Sequence, residues 1–333
     1  MVDLDVLVVG GGAIGGVTAA LMTDGVRRVM VLDANREHVE RMRDPGLEVD
    51  VLGDQRTVKL DAYSDPAELP VEPQFALISL KAAYLEAALT PLRDRVQTFV
   101  SMGNGLVQDR VAELVGAEKL LIATVEWGAT NLGPGRLAQT TRAPFVIGEP
   151  DGSDSERLQQ LRAALETAAE VRVSHNIRGQ VWSKLLINST WSGLGAASGL
   201  LYGEIADHPL GRRLAVELWR EGVTVAHAQD LELQELVGIP PEDIASPDRA
   251  VSDHAIDAMM AQLGPTKASM LQDLERDVPC EVDVINGAVA RCGRECGVTT
   301  PVNEGIVDLV HSYEDGSAEP SAAAFDALAR RLQ

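Results

Sequence analysis

The chain has 333 residues, 45% of them hydrophobic, and a formal net charge of −21 from 50 acidic and 29 basic side chains. This length favours two domains, and the acidic balance argues against nucleic acid or an anionic membrane as partner. Three cysteines cannot form a complete disulfide framework, and no apolar run is long enough to span a membrane. Asp3 and Asp5 stand where a signal peptide would be basic. We therefore expect a cytoplasmic protein without a metal site.

The first predicted element is an apolar strand over residues 6–9 that runs into a glycine-rich turn. Gly10, Gly12 and Gly15 fit the pattern G-x-G-x-x-G. In this pattern the first glycine allows a tight turn, the second lets a pyrophosphate approach the backbone, and the third lets a helix pack against the strand. The turn therefore predicts a dinucleotide site.

The residues after the turn support the same interpretation. A helix beginning near Ala13 and Ile14 presents free N–H groups to phosphates. A second strand over 29–32 ends at Asp33, about 20 residues on, where an acidic side chain accepts hydrogen bonds from the adenosine ribose. Asp33 therefore joins the predicted cofactor-binding residues.

Strand and helix patterns alternate through the rest of the first half, which is typical of a parallel sheet with crossover helices. The predicted elements are a helix over 36–43, a hairpin over 47–59, a strand over 75–80, a helix over 82–92, strands over 96–100 and 120–125, a strand over 145–148 that we expect to be antiparallel, a helix over 155–169 and a strand over 171–173. Lys81 and Asn104 follow two of these strands, so we expect both to face the crevice at the carboxyl edge of the sheet.

Strand patterns stop near residue 175. Helices are predicted over 179–198, 210–229, 248–263, 267–275, 281–296, 303–313 and 321–332. The change predicts a dinucleotide-binding domain over 1–174 and an all-helical substrate and catalytic domain over 175–333.

One helix of the second half carries an unusual polar stripe. Lys184, Asn188 and Ser192 recur every four residues and so share a helix face. Neighbours such as Leu185 and Trp191 indicate a mostly buried helix, whose polar side chains need partners. The stripe therefore lines a cleft or joins a polar network between helices.

Several short motifs, taken together, resemble the ketopantoate reductases. They are the opening glycine turn, Ser79-Leu80-Lys81, Gly103-Asn104-Gly105, His175-Asn176-Ile177-Arg178, Trp182 with Lys184 through Asn188, Ser269-Met270-Leu271-Gln272-Asp273, Glu281-Val282-Asp283 and Ile285-Asn286-Gly287. The order and approximate spacing hold from about residue 4 to about residue 310. Each motif alone is modest, but the combination is specific.

The resemblance implies an α/β fold in which a Rossmann-type doubly wound sheet is followed by an all-helical C-terminal domain, with the active site between them. It implies that Lys184 is the general acid, that Glu281 pairs with Lys184 or with the substrate hydroxyl, and that Lys81 lies on the nicotinamide side. It also implies that Asn104 binds the cofactor and positions substrate and nicotinamide, that Asn188 binds substrate oxygens, and that Ser269 holds the substrate carboxylate. Ser192, on the same helix face as Asn188, is a further predicted substrate-binding residue. The implied partner is a small 2-oxo acid, as in pantothenate biosynthesis, and the implied assembly is a homodimer.

The chemistry of these residue types is consistent with that role. Hydride delivery to a ketone leaves negative charge on the oxygen, which a nearby ammonium stabilises and protonates. The resemblance, with which this chemistry agrees, therefore implies nicotinamide-dependent reduction of a 2-oxo acid to a 2-hydroxy acid.

Two departures from the family pattern affect specificity. Ala34, after Asp33, stands where many members carry an arginine for the 2′-phosphate of NADP. This predicts a preference for NAD(H), although Arg36 is near enough to leave NADP(H) open. Ser192 and Thr266 stand where the family has asparagines, so ketopantoate is one candidate substrate among several.

Three alternatives remain. An NAD-dependent D-2-hydroxyacid or opine-type dehydrogenase would commonly use a histidine, and only His175 lies near the presumed cleft. A non-catalytic dinucleotide sensor would not need Lys184, Asn188, Ser269 and Glu281 together. A flavoenzyme can carry the same glycine fingerprint.

Overall fold

The computed structural model describes residues 1–332, which form two compact units. The first unit comprises Met1–Gly103 and Val107–Ile177. The second comprises Asn104–Leu106 and the chain from Arg178 onward. The helical unit thus begins at Arg178, whereas the sequence predicts the change at residue 175, and it includes a short segment from the first half of the chain.

An eight-stranded sheet forms the centre of the first unit. Its strands are β1 (Val2–Val9), β2 (Val26–Leu32), β5 (Asp61–Tyr63), β6 (Phe75–Ile78), β7 (Thr98–Ser101), β8 (Leu120–Val125), β11 (Phe145–Gly148) and β12 (Val171–Val173). The spatial order is β12-β11-β8-β7-β6-β1-β2-β5. All neighbours are parallel except β11 and β8, so the predicted antiparallel strand is confirmed.

Five α-helices connect these strands, as the alternating pattern predicts. They are α1 (Ala13–Met22), α2 (Arg36–Arg41), α3 (Leu85–Leu89), α4 (Gln108–Val115) and α5 (Glu156–Leu165). Residues 4–9 of β1 are buried because the sheet is covered on both faces. The strand order reverses at β1, and such a switch point opens a crevice at the carboxyl ends of the strands.

A second, four-stranded sheet was only half predicted. It has the order β4-β3-β10-β9 and consists of β3 (Leu47–Val51), β4 (Asp54–Val58), β9 (Ala129–Asn131) and β10 (Arg136–Gln139). The hairpin of β3 and β4 is confirmed. This sheet packs closely on α1. A Cβ added to Gly16 of that helix would collide with the Leu137 side chain of β10.

The second unit is helical. Its helices are α6 (Ile177–Ile187), α7 (Gly193–Ser198), α8 (Tyr202–Asp207), α9 (Pro209–Ala228), α10 (Pro241–Ala245), α11 (Arg249–Leu263), α12 (Ser269–Leu274), α13 (Asn286–Cys296), α14 (Pro301–Glu314) and α15 (Ala324–Ala329). The predicted all-helical character is confirmed, and between residues 178 and 332 only an isolated bridge of Leu236 with Ile239 has strand pairing.

The long helix α9 organises this unit. The indole of Trp182, on α6, donates to the Gly222 carbonyl at 3.0 Å. The indole of Trp219 donates to the Pro241 carbonyl at 2.9 Å. Buried Trp rings with satisfied N–H groups fix the helices that flank α9.

Within residues 1–332, no helix combines the length and the apolar character needed to cross a membrane. The same residues contain no group of three or more His, Cys, Asp or Glu side chains arranged to hold a metal ion.

A half-buried carboxylate joins α9 to α14. Glu221 accepts the backbone N–H groups of Val302 at 2.8 Å and of Asn303 at 3.0 Å, and the Asn303 amide at 2.7 Å. It therefore caps the N-terminus of α14 from another helix. Burial raises the pKa of the Glu221 carboxyl, although these hydrogen bonds favour its ionised form.

This raised pKa predicts the sign of a pH effect on stability. A carboxyl whose pKa is higher in the folded than in the unfolded state stabilises the fold most below its ordinary value of 4.5, and that contribution is lost as pH rises through the folded pKa. Urea unfolding at about pH 5 and about pH 8 should show wild type losing stability relative to Glu221→Gln as pH rises. Glu235→Gln, which changes an exposed carboxyl of the same unit, is the control. A wild-type advantage that grows with pH would contradict the assignment.

Candidate active site

Two glycines of the turn after β1 are required by packing. Gly10 has φ +97°, and a Cβ there would lie 2.6 Å from the Ser79 carbonyl oxygen. A Cβ on Gly15 would collide with the Gly10 carbonyl oxygen. Neither position accepts a side chain without moving the backbone.

Gly12 is different. A Cβ at Gly12 would meet no atom of the described chain within 4 Å, and its φ of −64° suits any residue. Protein packing therefore does not explain this glycine, whereas an open approach for a ligand does. Gly12 also precedes the first turn of α1, which contains no acidic side chain and whose N–H groups suit an anion.

A buried histidine and Asp33 hold the turn in place. The Gly11 N–H donates to Asp33 Oδ2 at 2.8 Å, and the Asn35 N–H donates to Asp33 Oδ1 at 2.8 Å. The Gly135 N–H donates to His38 Nδ1 at 2.9 Å, so the ring carries its proton on Nε2 and donates it to the Gly11 carbonyl at 2.7 Å. Both sides of the Gly11 residue are thus hydrogen-bonded.

Asp33 keeps capacity for a ligand, because each carboxylate oxygen accepts more than one hydrogen bond. Gly10, Gly12, Gly15 and Asp33 lie together at the ends of neighbouring strands β1 and β2. Lys81 follows β6, the other neighbour of β1, and is half-buried. The donors, the open approach and the carboxylate fit a dinucleotide, which Gly12, Ala13, Ile14 and Asp33 would hold.

His38 was missed by the sequence analysis. The available signal was local: Asn35 caps α2 by accepting the His38 N–H at 3.1 Å, which places the ring at the start of the helix that follows Asp33. Its contact with Gly135 is 97 residues away in sequence and carries no local pattern.

Asn104 follows β7 in the chain but belongs to the helical unit. The Leu106 N–H donates to the Val284 carbonyl at 2.9 Å, and a Cβ on Gly105 would collide with the same oxygen. Val284 ends the short turn Val282–Val284 that follows Glu281. The structure therefore places Asn104 and Glu281 on neighbouring segments of one unit.

The predicted helix over 281–296 is wrong at its start. Ile285 has φ −105° and ψ −88°, which interrupts the helix, and α13 begins only at Asn286. Glu281 is thus half-buried in a turn before α13. Beside it, burial raises the pKa of the Cys280 thiol to about 12, so that thiol stays protonated at neutral pH.

The polar stripe on α6 ends in a wide helical turn. Lys184 and Asn188 are half-buried, and residues Asn188–Ser192 form a π-turn. The Gly193 N–H donates to the Asn188 carbonyl, five residues back, and so bypasses the Ser189 carbonyl that a regular α-helix would use.

Asn286 supplies the missing donor. Its Nδ2 donates to the Ser189 carbonyl at 2.8 Å and to Asn303 Oδ1 at 2.9 Å. Asn286 and Asn303 are fully buried, and Asn303 is held in turn by Glu221. A polar network through the unit therefore stabilises the irregular turn beside the predicted site.

Two predicted substrate-binding residues, Ser192 and Ser269, lie next to each other although 77 residues separate them. Their Oγ atoms are 3.4 Å apart, and the Met270 N–H points at Ser192 Oγ at 3.5 Å. Ser192 is completely buried, whereas Ser269 is exposed at the start of α12. Ser269 can therefore offer its hydroxyl to a ligand, while Ser192 contacts the Ser269 hydroxyl from the buried side.

Comparison with known proteins gives a consistent result over most of the chain. The family model described as ketopantoate reductase PanE/ApbA matches residues 6–152, and its C-terminal counterpart matches residues 176–314. The 2-dehydropantoate 2-reductase of Halobacterium salinarum is 26% identical over 93% of this chain and 99% of its own length. That of Aquifex aeolicus is 26% identical over 92% of this chain and 96% of its own.

Solved structures share the fold. A ketopantoate reductase of the PanE/ApbA family from Ralstonia eutropha superimposes with a TM-score of 0.81 at 24% identity, covering 94% of this chain and 99% of the other. D-mandelate dehydrogenase, solved with NADH and anilino(oxo)acetate, gives a TM-score of 0.82 at 23% identity with the same coverage. Since two family models together match most of its length, the chain belongs to the ketopantoate reductase family and is a nicotinamide-dependent oxidoreductase acting on CH–OH groups.

Proposed function

We infer that this protein reduces a 2-oxo acid to the 2-hydroxy acid, with Lys184 as the general acid and NADH as the preferred reductant. The observation that carries the proposal is the arrangement at the end of α6 and in the π-turn that follows it. Half-buried Lys184 and Asn188 lie one turn apart, and the π-turn that follows brings Ser192 against the exposed Ser269. This combines an ammonium, an amide and a hydroxyl within one unit.

Each group has a chemical role. Gly12, Ala13, Ile14 and Asp33 would hold NADH, which would supply the hydride for the carbonyl carbon. As the carbonyl oxygen gains negative charge, the Lys184 ammonium stabilises it and transfers a proton to it, which yields the alcohol. Asn188 and Asn104 offer amide donors to substrate oxygens, Ser269 donates to the carboxylate, and Glu281 pairs with Lys184 or the new hydroxyl.

The cofactor preference is argued from Asp33. Its carboxylate is fixed by the N–H groups of Gly11 and Asn35, so it cannot easily turn away from a ribose. A fixed negative charge suits the ribose diol of NAD(H) and repels a 2′-phosphate. Ala34 and Arg36, the neighbouring residues, are exposed.

The substrate is proposed at the level of its class. The hydroxyl of Thr266, in place of a family asparagine, offers fewer donors to a substrate hydroxyl, and the completely buried Ser192 reaches the site only through Ser269. Ketopantoate is therefore one candidate among several 2-oxo acids. A homodimer stays a prediction from the family resemblance.

The function and the cofactor preference are tested in one assay. Purified protein should oxidise NADH in the presence of at least one acid from a panel of ketopantoate, 2-oxoisovalerate, phenylglyoxylate and pyruvate. We expect kcat/KM to be about tenfold or more higher with NADH than with NADPH. Asp33→Asn should lower this NADH-to-NADPH ratio of kcat/KM about tenfold, because the change removes the negative charge. Asp24→Asn, an exposed carboxylate before β2, is the control and should leave the ratio unchanged. No reduction of any acid would refute the function, and an NADPH preference would refute the role of Asp33.

The role of Lys184 is tested separately. Lys184→Ala should lower kcat about 100-fold or more while the dissociation constant of NADH stays within about twofold, because the change removes the proton donor and not the glycine turn. Lys59→Ala, which removes an exposed lysine paired with Asp44, controls for loss of a positive charge. Activity near wild type in Lys184→Ala would show that another group donates the proton.

A further inference from the structure

His38, in the first turn of α2, connects two buried backbone groups that are far apart in the chain. Its Nε2 lies 2.7 Å from the Gly11 carbonyl oxygen, and its Nδ1 lies 2.9 Å from the Gly135 nitrogen. The histidine is 3% exposed, and Gly11 and Gly135 are buried as well. Solvent therefore does not replace either hydrogen bond when the ring is removed.

Gly135 is held firmly where it meets the ring. It has φ +75°, and a Cβ there would lie 2.6 Å from the Cβ of Arg41, which follows His38 on α2. Its carbonyl accepts the Glu48 N–H of β3 at 2.9 Å, and the next residue begins β10. The small four-stranded sheet therefore contacts α2 closely at this point and determines the orientation of the imidazole.

The contact with Gly11 determines the direction of one peptide group. The peptide between Gly11 and Gly12 is trans, so its C=O and N–H point in opposite directions. Because His38 binds the carbonyl, the Gly12 N–H points away from the ring. Among residues 1–332, this N–H has no hydrogen-bond acceptor. Neither glycine has a Cβ that would restrict rotation of the peptide, so the hydrogen bond from His38 sets its orientation.

The neighbouring peptide groups of the turn are held without His38. The Gly11 N–H donates to Asp33 at 2.8 Å, which fixes the peptide before it. The Gly16 N–H donates to the Gly12 carbonyl at 2.7 Å, which fixes the peptide after it. Loss of the ring should therefore release one peptide group and leave its neighbours in place.

We propose that His38 is a positioning residue for the cofactor. By binding the Gly11 carbonyl, it directs the Gly12 N–H at the pyrophosphate, together with the first N–H groups of α1. The small sheet carries none of the predicted site residues, but it contributes to cofactor affinity through Gly135 and His38. A donor that is oriented before the ligand arrives loses less conformational entropy on binding. The proposal rests on the proposed function in one respect, namely that the glycine turn holds the cofactor.

Two substitutions separate the two hydrogen bonds of His38. The amide of His38→Asn reaches the position of Nδ1 and can accept from Gly135, but it is too short to contact Gly11. The amide of His38→Gln reaches the position of Nε2 and can donate to Gly11, but it leaves the Gly135 N–H unpaired. Each variant leaves one buried backbone group without a partner, so both should lower the melting temperature by similar amounts.

The affinity for NADH should nevertheless differ between the two variants. In fluorescence titrations, the dissociation constant of NADH should rise about tenfold in His38→Asn and stay within about threefold of wild type in His38→Gln. KM for NADH should change in the same way, whereas KM for the 2-oxo acid at saturating NADH should stay within about twofold. An equal loss of NADH affinity in both variants, or no loss in His38→Asn, would overturn the proposal.

Ligands that contain only part of the cofactor locate the effect. ADP-ribose contains the pyrophosphate, whereas adenosine contains only the base and the ribose that Asp33 would bind. In displacement of NADH, His38→Asn should weaken ADP-ribose about tenfold and leave adenosine within about twofold of wild type. Equal weakening of both ligands would show that the change disturbs Asp33 and not the Gly11–Gly12 peptide, and would overturn the proposal.

These binding measurements also separate the positioning role from the proposed function. If wild type binds NADH with the expected pattern but reduces no acid of the panel, the proposed function fails and the positioning role stands. If wild type reduces an acid but both variants bind NADH alike, the positioning role fails and the function stands. A protein that prefers NADPH should show the same pattern with NADPH, which has the same pyrophosphate.

Discussion

The close approach of α1 to its own preceding turn is the constraint on which cofactor binding depends. Gly15 packs so tightly on the Gly10 carbonyl that a methyl group has no room, and Gly16 packs equally tightly on Leu137 of the small sheet. These contacts direct the first turn of α1 toward the open side of Gly12. The fixed Gly11 residue, bonded through Asp33 and His38, keeps that geometry rigid. A cofactor then meets donors that need little reorganisation.

In the helical unit, an irregular turn has the corresponding role. The π-turn of Asn188–Ser192 frees the Ser189 carbonyl, and Asn286 satisfies it. A buried carbonyl without a partner would cost about 1–3 kcal/mol of folding free energy. The Asn286–Asn303–Glu221 network offsets this cost and so stabilises the turn within a packed core. The π-turn also determines the position of Ser192, the last residue of the polar stripe from Lys184, which lies next to Ser269.

Local patterns predicted much of this molecule. The strands β1 and β2, the glycine turn and Asp33 were found because each carries its own signal of burial, spacing and residue type. The stripe on α6 was visible because a four-residue period survives in a helix. The residue roles inferred from the family resemblance, such as that of Lys184, stay predictions.

What the sequence did not show depends on contacts between distant segments. The strands β9 and β10 have three and four residues, and the pairing of β10 with β3 has no local signature. In the sequence His38 resembles any polar residue of an exposed helix. Its role becomes visible only in the fold, where the Gly135 N–H donates to its ring. The break at Ile285 likewise depends on a distant segment, because Leu106 donates to the carbonyl of Val284 just before it, and periodicity does not encode this contact.

The most direct measurement of the central claim is the dissociation constant of NADH for Gly12→Ala. Its Cβ would meet no atom of the described chain within 4 Å, so the variant should fold with the wild-type melting temperature. It should nevertheless bind NADH about tenfold or more weakly, because the methyl group occupies the approach of the pyrophosphate. Gly15→Ala, which collides with the Gly10 carbonyl, should lower the melting temperature itself. Unchanged NADH affinity in a fully folded Gly12→Ala protein would contradict the account.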